Sequence, residues 1–208
     1  MIIKNRGDSM NKSIDELVKI IKNDGVLCVP TDTVYGLCTR INSPLAFDKL
    51  VQLKNRPANK SFPIMCADLE QIKEIAFVDN RTEKIINRFM PGPLTVVLNK
   101  KKSIINNRGI NDTGEVGIRM APTKELKELI LKVGSPIFMT SANKSGEQVC
   151  SSIEEVLETF PELDGVLEGN VSYGKASTIL DCTKDELIIQ RDGPIDMEQI
   201  KSVLLDEE

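Results

Sequence analysis

The chain has no histidine and no tryptophan in its 208 residues, and only two tyrosines. Without histidine, Ser-His-Asp and Cys-His mechanisms are excluded and the commonest general base is missing. Any catalysis must therefore run on charge neutralisation and positioning, or on carboxylates and lysines. Aromatics make up 4% of the chain, so the core must be mostly Ile, Leu and Val. The five cysteines (Cys28, Cys38, Cys66, Cys150 and Cys182) form no C-x-x-C pair. They read as small buried hydrophobes in a reducing compartment, and no protein-held metal is expected. No apolar run approaches a membrane span, and the N-terminus lacks the layout of a signal peptide. A soluble, cytoplasmic protein without membrane contacts is expected. The net charge of −4 and pI near 5.2 argue against broad binding to nucleic acid, though not against a local basic cleft. Neither G-x-x-x-x-G-K-[ST] nor G-x-G-x-x-G occurs, so the two common nucleotide-binding loops are absent.

What is present is ordinary globular composition, 40% hydrophobic and 28% charged, with length for one domain and a sizeable core. Strand and helix signals interleave. Ser13 to Glu16 has the form of a capping box, followed by Ile14, Leu17, Val18 and Ile21 on one helical face. Val26–Val29 and Leu37–Ile41 read as strands. Ser43-Pro44 opens a helix that delivers Lys54 and Arg56 at its end. Strands are predicted at 62–66, 94–98, 116–120, 135–139, 165–167, 179–181 and 187–191. Helices are predicted at 68–76, 82–90, 123–133, 151–160 and from 196. Residues 1–12 read as a loose segment and 99–115 as a loop or mobile hairpin. The spacing lacks a strict βαβ period, so the expected fold is α/β, a single domain with a twisted, mixed parallel and antiparallel sheet and helices on its faces.

Three constellations stand out. Pro30 to Leu37 follows a buried strand and displays Thr31, Asp32, Thr33 and Tyr35 on a rigid edge. Lys54, Arg56 and Lys60 are either a solvated helix end that complements the helix dipole or an anion clamp. Thr140-Ser141-Ala142-Asn143 is either plain turn chemistry or a loop that lets phosphate oxygens approach backbone amides. Arg119 and Arg191, each inside a strand, are either solvent-facing edge residues or single cations holding a carboxylate inside a cleft. Ser177-Thr178 invites the same two readings.

As an ordered set these segments carry more than they do singly. Pro30 to Leu37, Lys54-x-Arg56-Pro57-x-x-Lys60, Pro91-Gly92-Pro93-Leu94-Thr95, Val116 to Met120, Thr140 to Gly146, Ser177-Thr178-Ile179-x-Asp181 and Arg191-x-Gly193 resemble the successive signatures of the YrdC-like threonylcarbamoyl-AMP synthases. The resemblance covers about residues 13–200 and implies a YrdC-like fold with an open cationic cleft. It also implies synthesis of threonylcarbamoyl-AMP and pyrophosphate from L-threonine, bicarbonate or CO2, and ATP, for threonylcarbamoyladenosine modification of tRNA. By the resemblance, Lys54, Arg56, Lys60, Ser141, Ala142, Asn143 and Arg191 hold ATP, with Lys54, Arg56, Ser141 and Asn143 catalytic. Thr33, Tyr35, Arg119, Thr140 and Ser177 hold threonine, and Mg2+ arrives bound to ATP. Implied partners are the other threonylcarbamoyl-transfer proteins, with tRNA met indirectly. The extra C-terminal domain of longer relatives is expected to be absent. The chain departs from the family pattern at Ser61-Phe62, at Met65, where a histidine is common, and at Glu115, where a threonine is common. Two alternatives stand beside the synthase: a YrdC-like module without synthesis that binds RNA, double-stranded RNA included, and a carbamoyl or nucleotidyl transferase that uses another amine.

Overall fold

Local rules set most of the helices. The computed structural model describes residues 12–57, 60–101, 114–171 and 175–205. In α1 (Ile14–Lys22) the Ser13 hydroxyl accepts from Glu16 N and the Glu16 carboxylate accepts from Ser13 N, which completes the capping box. α2 (Pro44–Lys54) starts from Ser43 with proline at its first turn and ends at Asn55 in the left-handed region. Asp68 caps α3 (Leu69–Ile75), Thr123 caps α5 (Lys124–Val133) and Ser152 caps α6 (Ile153–Thr159). α4 (Asn80–Phe89) begins earlier than its apolar spacing suggests, because the Asp79 carboxylate takes the Thr82 amide and moves the cap upstream. α7 spans Met197–Leu205.

The strands are β1 (Leu27–Val29), β2 (Gly36–Arg40), β3 (Ile64–Cys66), β4 (Leu94–Asn99), β5 (Glu115–Met120), β6 (Ile137–Ser141), β7 (Gly165–Val166), β8 (Thr178–Asp181) and β9 (Ile188–Arg191). They form one mixed sheet in the order β7-β1-β2-β6-β3-β5-β4-β8-β9. β1–β7, β3–β5 and β4–β8 are parallel and the other pairs antiparallel. The expected mixed α/β sheet is therefore observed. One strand is displaced: β6 runs to Ser141, so Thr140 and Ser141 belong to the sheet and not to the loop after it. The pairing of Leu37 with Thr140 and Gly36 with Ser141 supplies the ladder that holds them. The loose segment and most of the 99–115 loop lie outside the described residues.

Side chains alternate across each strand, and the two faces are covered unequally. Cys28, Leu37, Phe138, Ile64, Ile118, Val96 and Leu180 share one face and join the larger apolar cluster, with residues from α2, α3, α4, α6 and α7. Phe47, Phe62 and Phe138 pack within it at centroid distances of 5.7–6.0 Å. On the other face Leu27, Val29, Cys38, Met139, Ile137 and Met65 pack with Leu17, Val18 and Ile21 of α1 and Leu126, Leu129 and Ile130 of α5. That second layer is confined to β1, β2, β6 and β3. Beyond it the same face of β5, β4 and β8 presents Gly117, Arg119, Thr95, Val97 and Ile179 to a cleft of about 370 Å3. Incomplete helical cover is what opens the cleft.

Candidate active site

The loop from β1 to β2 forms one wall. The Thr31 hydroxyl donates to Val34 O at 2.7 Å and accepts from the amides of Thr33 and Val34, which ties the loop to itself. Thr31 has spent its hydrogen, so in the 2.9 Å contact between the two hydroxyls Thr33 is the donor. The Thr33 oxygen in turn accepts from Arg119 at 2.8 Å. Tyr35 is buried, with its hydroxyl 3.4 Å from Gly169 O. At Gly36 an added Cβ would stand 2.5 Å from Met139 Sδ, so a side chain here would have to displace the Met139 thioether.

The end of α2 and the end of β6 meet on the next wall. Lys54 is 2% exposed and its ammonium donates to Ser141 O at 2.5 Å and Asn143 Oδ1 at 3.0 Å. The Ser141 hydroxyl donates to Asn143 Oδ1 at 2.6 Å, and Asn143 Nδ2 donates to the carbonyls of Lys144 and Glu147. Burial, with the Arg56 charge adding to it, pulls Lys54 down from the usual lysine range to about 8. Arg56 donates to Lys60 O at 3.2 Å and Ser61 O at 2.7 Å and lies over the Phe62 ring, 4.8 Å from its centroid. The unusual Ser61-Phe62 pair is thus the seat on which Arg56 rests.

The floor and far wall come from the second half of the sheet. Arg119, 7% exposed, pairs with Asp32 and Thr33 and donates twice to Gly92 O in the Pro91-Gly92-Pro93 turn. Thr95 and Ser177 share a 2.8 Å hydrogen bond across the neighbouring parallel strands. Arg191 donates to Ser177 O at 3.0 and 2.8 Å and to Ser177 Oγ at 3.1 Å. Gly193 lets this edge close, since a Cβ there would lie 2.1 Å from Thr178 N.

Of the residues singled out from the sequence, Thr33, Tyr35, Arg56, Arg119, Thr140, Ser141, Ser177 and Arg191 line this cleft. Lys54, Ala142 and Asn143 are buried directly behind Ser141, within its hydrogen-bond network or next to it in the chain. Lys60 is exposed, and its carbonyl rather than its ammonium meets Arg56. Strand alternation turns Thr140 to the face opposite Ser141, so Thr140 borders the cleft from the strand end. Sequence reasoning gave no role to Asp32, the Gly92 carbonyl or Thr95. Their signals were the Pro30 to Leu37 motif for Asp32 and the Pro91 to Thr95 motif for the other two, and the use of each depends on a distant partner. Glu115 also lines the cleft, as do the three arginines Arg56, Arg119 and Arg191.

A family model described as telomere recombination, covering Sua5, YciO and YrdC proteins, matches residues 19–193. The chain belongs to the Sua5/YciO/YrdC family. A Methanocaldococcus jannaschii member, named provisionally as a threonylcarbamoyl-AMP synthase, is 32% identical over 93% of this chain and 91% of its own. The Bacillus subtilis threonylcarbamoyl-AMP synthase is 30% identical over 92% of this chain but only 56% of its own. Among solved structures, Pyrococcus abyssi Sua5 complexed with L-threonine matches with a TM-score of 0.84 and 29% identity, over 92% of this chain and 57% of that one. Escherichia coli YciO matches with a TM-score of 0.82 and 26% identity, over 90% and 92%. The chain therefore spans little more than half the length of the Sua5-type relatives and nearly all of the shorter ones. Among the described residues no helix is long and apolar enough to cross a membrane.

Within this family fold, Met65 has a defined neighbour. It lines the cleft beside Arg119 in the β3–β5 ladder while packing into the α1/α5 layer with no exposed surface. Met65→His is expected to tighten threonine binding up to about tenfold or leave it unchanged, since one neutral hydrogen bond is worth about 0.5–1.5 kcal/mol. ATP affinity should not move. Calorimetry with each ligand checks it, and a shift in ATP affinity alone would place this segment elsewhere.

Proposed function

We propose that the cleft joins L-threonine, bicarbonate or CO2, and ATP into threonylcarbamoyl-AMP, releasing pyrophosphate. One observation carries this reading: five separate segments of the chain bring Arg56, Arg119, Ser141, Ser177 and Arg191 around a single cavity. The similarity to a synthase and to a threonine-bound Sua5 structure supports it.

The chemistry suits a chain without histidine. The threonine amine and bicarbonate give a carbamate and water, and the carbamate oxygen is already an anionic nucleophile. It attacks the α-phosphorus as the bond to the pyrophosphate oxygen breaks, so no strong base is required. The protein supplies alignment and donors for the charge on the phosphates. In this reading Arg56, Ser141 and Arg191 face the nucleotide, with Lys60 at the rim. Lys54 and Asn143 set the Ser141 end of β6 from behind, and Lys54 presents its charge through it, next to the backbone of Ala142. Thr33, Tyr35, Arg119, Thr140 and Ser177 form the threonine end. Mg2+ enters on the phosphates, whose oxygens are the ligands it prefers. The product, an activated acyl-adenylate, passes to the proteins that transfer threonylcarbamoyl to tRNA.

The direct test is pyrophosphate release from ATP with and without threonine and bicarbonate, with the product identified by mass spectrometry. Release is expected only when all three are present. Release that ignores both co-substrates, or none with any amine, would overturn the reading.

A pH dependence follows from Lys54. Its ammonium loses its proton near pH 8 in the free protein, while bound phosphates favour the charged form. Apparent ATP affinity should hold below pH 8 and fall up to about tenfold per unit above it, with proton uptake on binding near pH 8–9. Calorimetry in buffers of different ionisation enthalpy reads that uptake. Binding without proton exchange at pH 8–9 would remove Lys54 from the nucleotide site.

A further inference from the structure

Arg119 is more committed than a free substrate-binding cation. A guanidinium carries five N–H groups. Nε and one Nη2 hydrogen go to Gly92 O at 3.2 and 3.1 Å, the other Nη2 hydrogen goes to Asp32, and Nη1 donates to Thr33 at 2.8 Å. Among the described residues a single N–H, on Nη1, remains without an acceptor. Asp32 is not among the residues lining the cleft, and its Oδ2 is buried without a hydrogen bond. The carboxylate therefore acts through Arg119.

We propose that Asp32 is a positioning residue for the acceptor amino acid: it holds Arg119 so that the free Nη1 hydrogen, beside the Thr33 oxygen, meets the substrate carboxylate. The proposal rests on the synthase reading of the cleft. Asp32 stays in place when substrate binds. Either two-pronged edge of the guanidinium that includes Nη2 is already filled, by Asp32 and by Gly92 O. Displacing Asp32 would leave both oxygens of a buried carboxylate without a partner, which is the costlier arrangement. The pair is net neutral, so the substrate carboxylate is read by one oriented N–H rather than by an unpaired charge. Thr33 helps by geometry: its hydrogen points to Thr31, which leaves its oxygen to accept, from Arg119 and from a ligand ammonium or hydroxyl.

Asp32→Asn keeps the shape and one acceptor oxygen and removes the charge. Threonine and ATP binding are measured separately by calorimetry on wild type and variant, with steady-state rates alongside. The expected result is threonine Kd raised about tenfold or more, kcat lowered even at saturating threonine, and ATP Kd unchanged. Asp32→Glu should recover only part. A purely structural role would lower thermal stability and leave both ligand constants of the folded protein at wild-type values, which overturns the proposal. So does tighter threonine binding in Asp32→Asn, because it would make Asp32 a competitor for Arg119. A wild type that binds ATP but no threonine overturns the synthase reading, and the proposal with it. If Asp32→Asn does not fold, nitrogen-15 spectra of wild-type Arg119 decide. Slowly exchanging Nη2 signals that persist on adding threonine support the proposal, and their loss overturns it.

Discussion

Lys54→Met is expected to lower kcat/KM for ATP by about two to three orders of magnitude, or about 3–4 kcal/mol of transition-state stabilisation. The ammonium sits within hydrogen-bond reach of Ser141 O and Asn143 Oδ1, so its removal takes away both a charge behind the phosphates and the brace of the loop that meets them. Stability should change far less. Lys54 is held below the ordinary lysine range when folded, so the wild type bears the burial of a charged ammonium fully below pH 8. That burden lifts as pH rises toward the unfolded value. The variant is freed from it, and Asn143 Oδ1 keeps its bond from Ser141. Chemical denaturation should show Lys54→Met most favoured relative to wild type at neutral pH, with the advantage shrinking above pH 8. Folded Lys54→Met with near-normal kcat/KM would return the basic end of α2 to a purely structural role.

Arg119→Met is expected to cost about 3–5 kcal/mol of folding stability, because it strands the Asp32 carboxylate in a largely buried place. Arg119 and Asp32 side chains are only 9% and 18% exposed, so water offers little relief. Adding Asp32→Asn should return most of that stability, since the unpaired charge is gone, but not threonine affinity, since the N–H facing the substrate is gone as well. The double-mutant cycle therefore separates the two roles of Arg119. A single Arg119→Met variant as stable as wild type would show that the pair is screened by solvent. Recovery of threonine binding in the double variant would show that Arg119 does not touch the substrate.

The contacts of Lys54 and Arg119 join residues far apart in the chain, whereas the helix caps join near neighbours. The capping box at Ser13, the Ser43-Pro44 start of α2 and the Asp68, Thr123 and Ser152 caps are readable because the groups that satisfy one another lie three or four residues apart. β1 is readable from a short apolar run and β4 from a β-branched one. Boundaries failed where a distant partner decided them. β6 ends at Ser141 because β2 pairs with it, and nothing in residues 135–141 alone says so.

The sequence by itself determined the kinds of element, the residue types available for chemistry, and the exclusion of every mechanism that needs histidine. It also gathered Lys54 with Arg56 and Ser141 with Asn143, since each pair shares one stretch of chain. Only the tertiary structure decided that β6 lies between β2 and β3, which puts Lys54 against Asn143, 89 residues away. It likewise joined Asp32 to Arg119 across 87 residues and Thr95 to Ser177 across 82. The reason is physical. Alternation along a strand says which residues share a face, but strand order is settled by the packing of the whole chain against itself. On this sheet that packing covers one face fully and the other in part, and the uncovered part is the cleft.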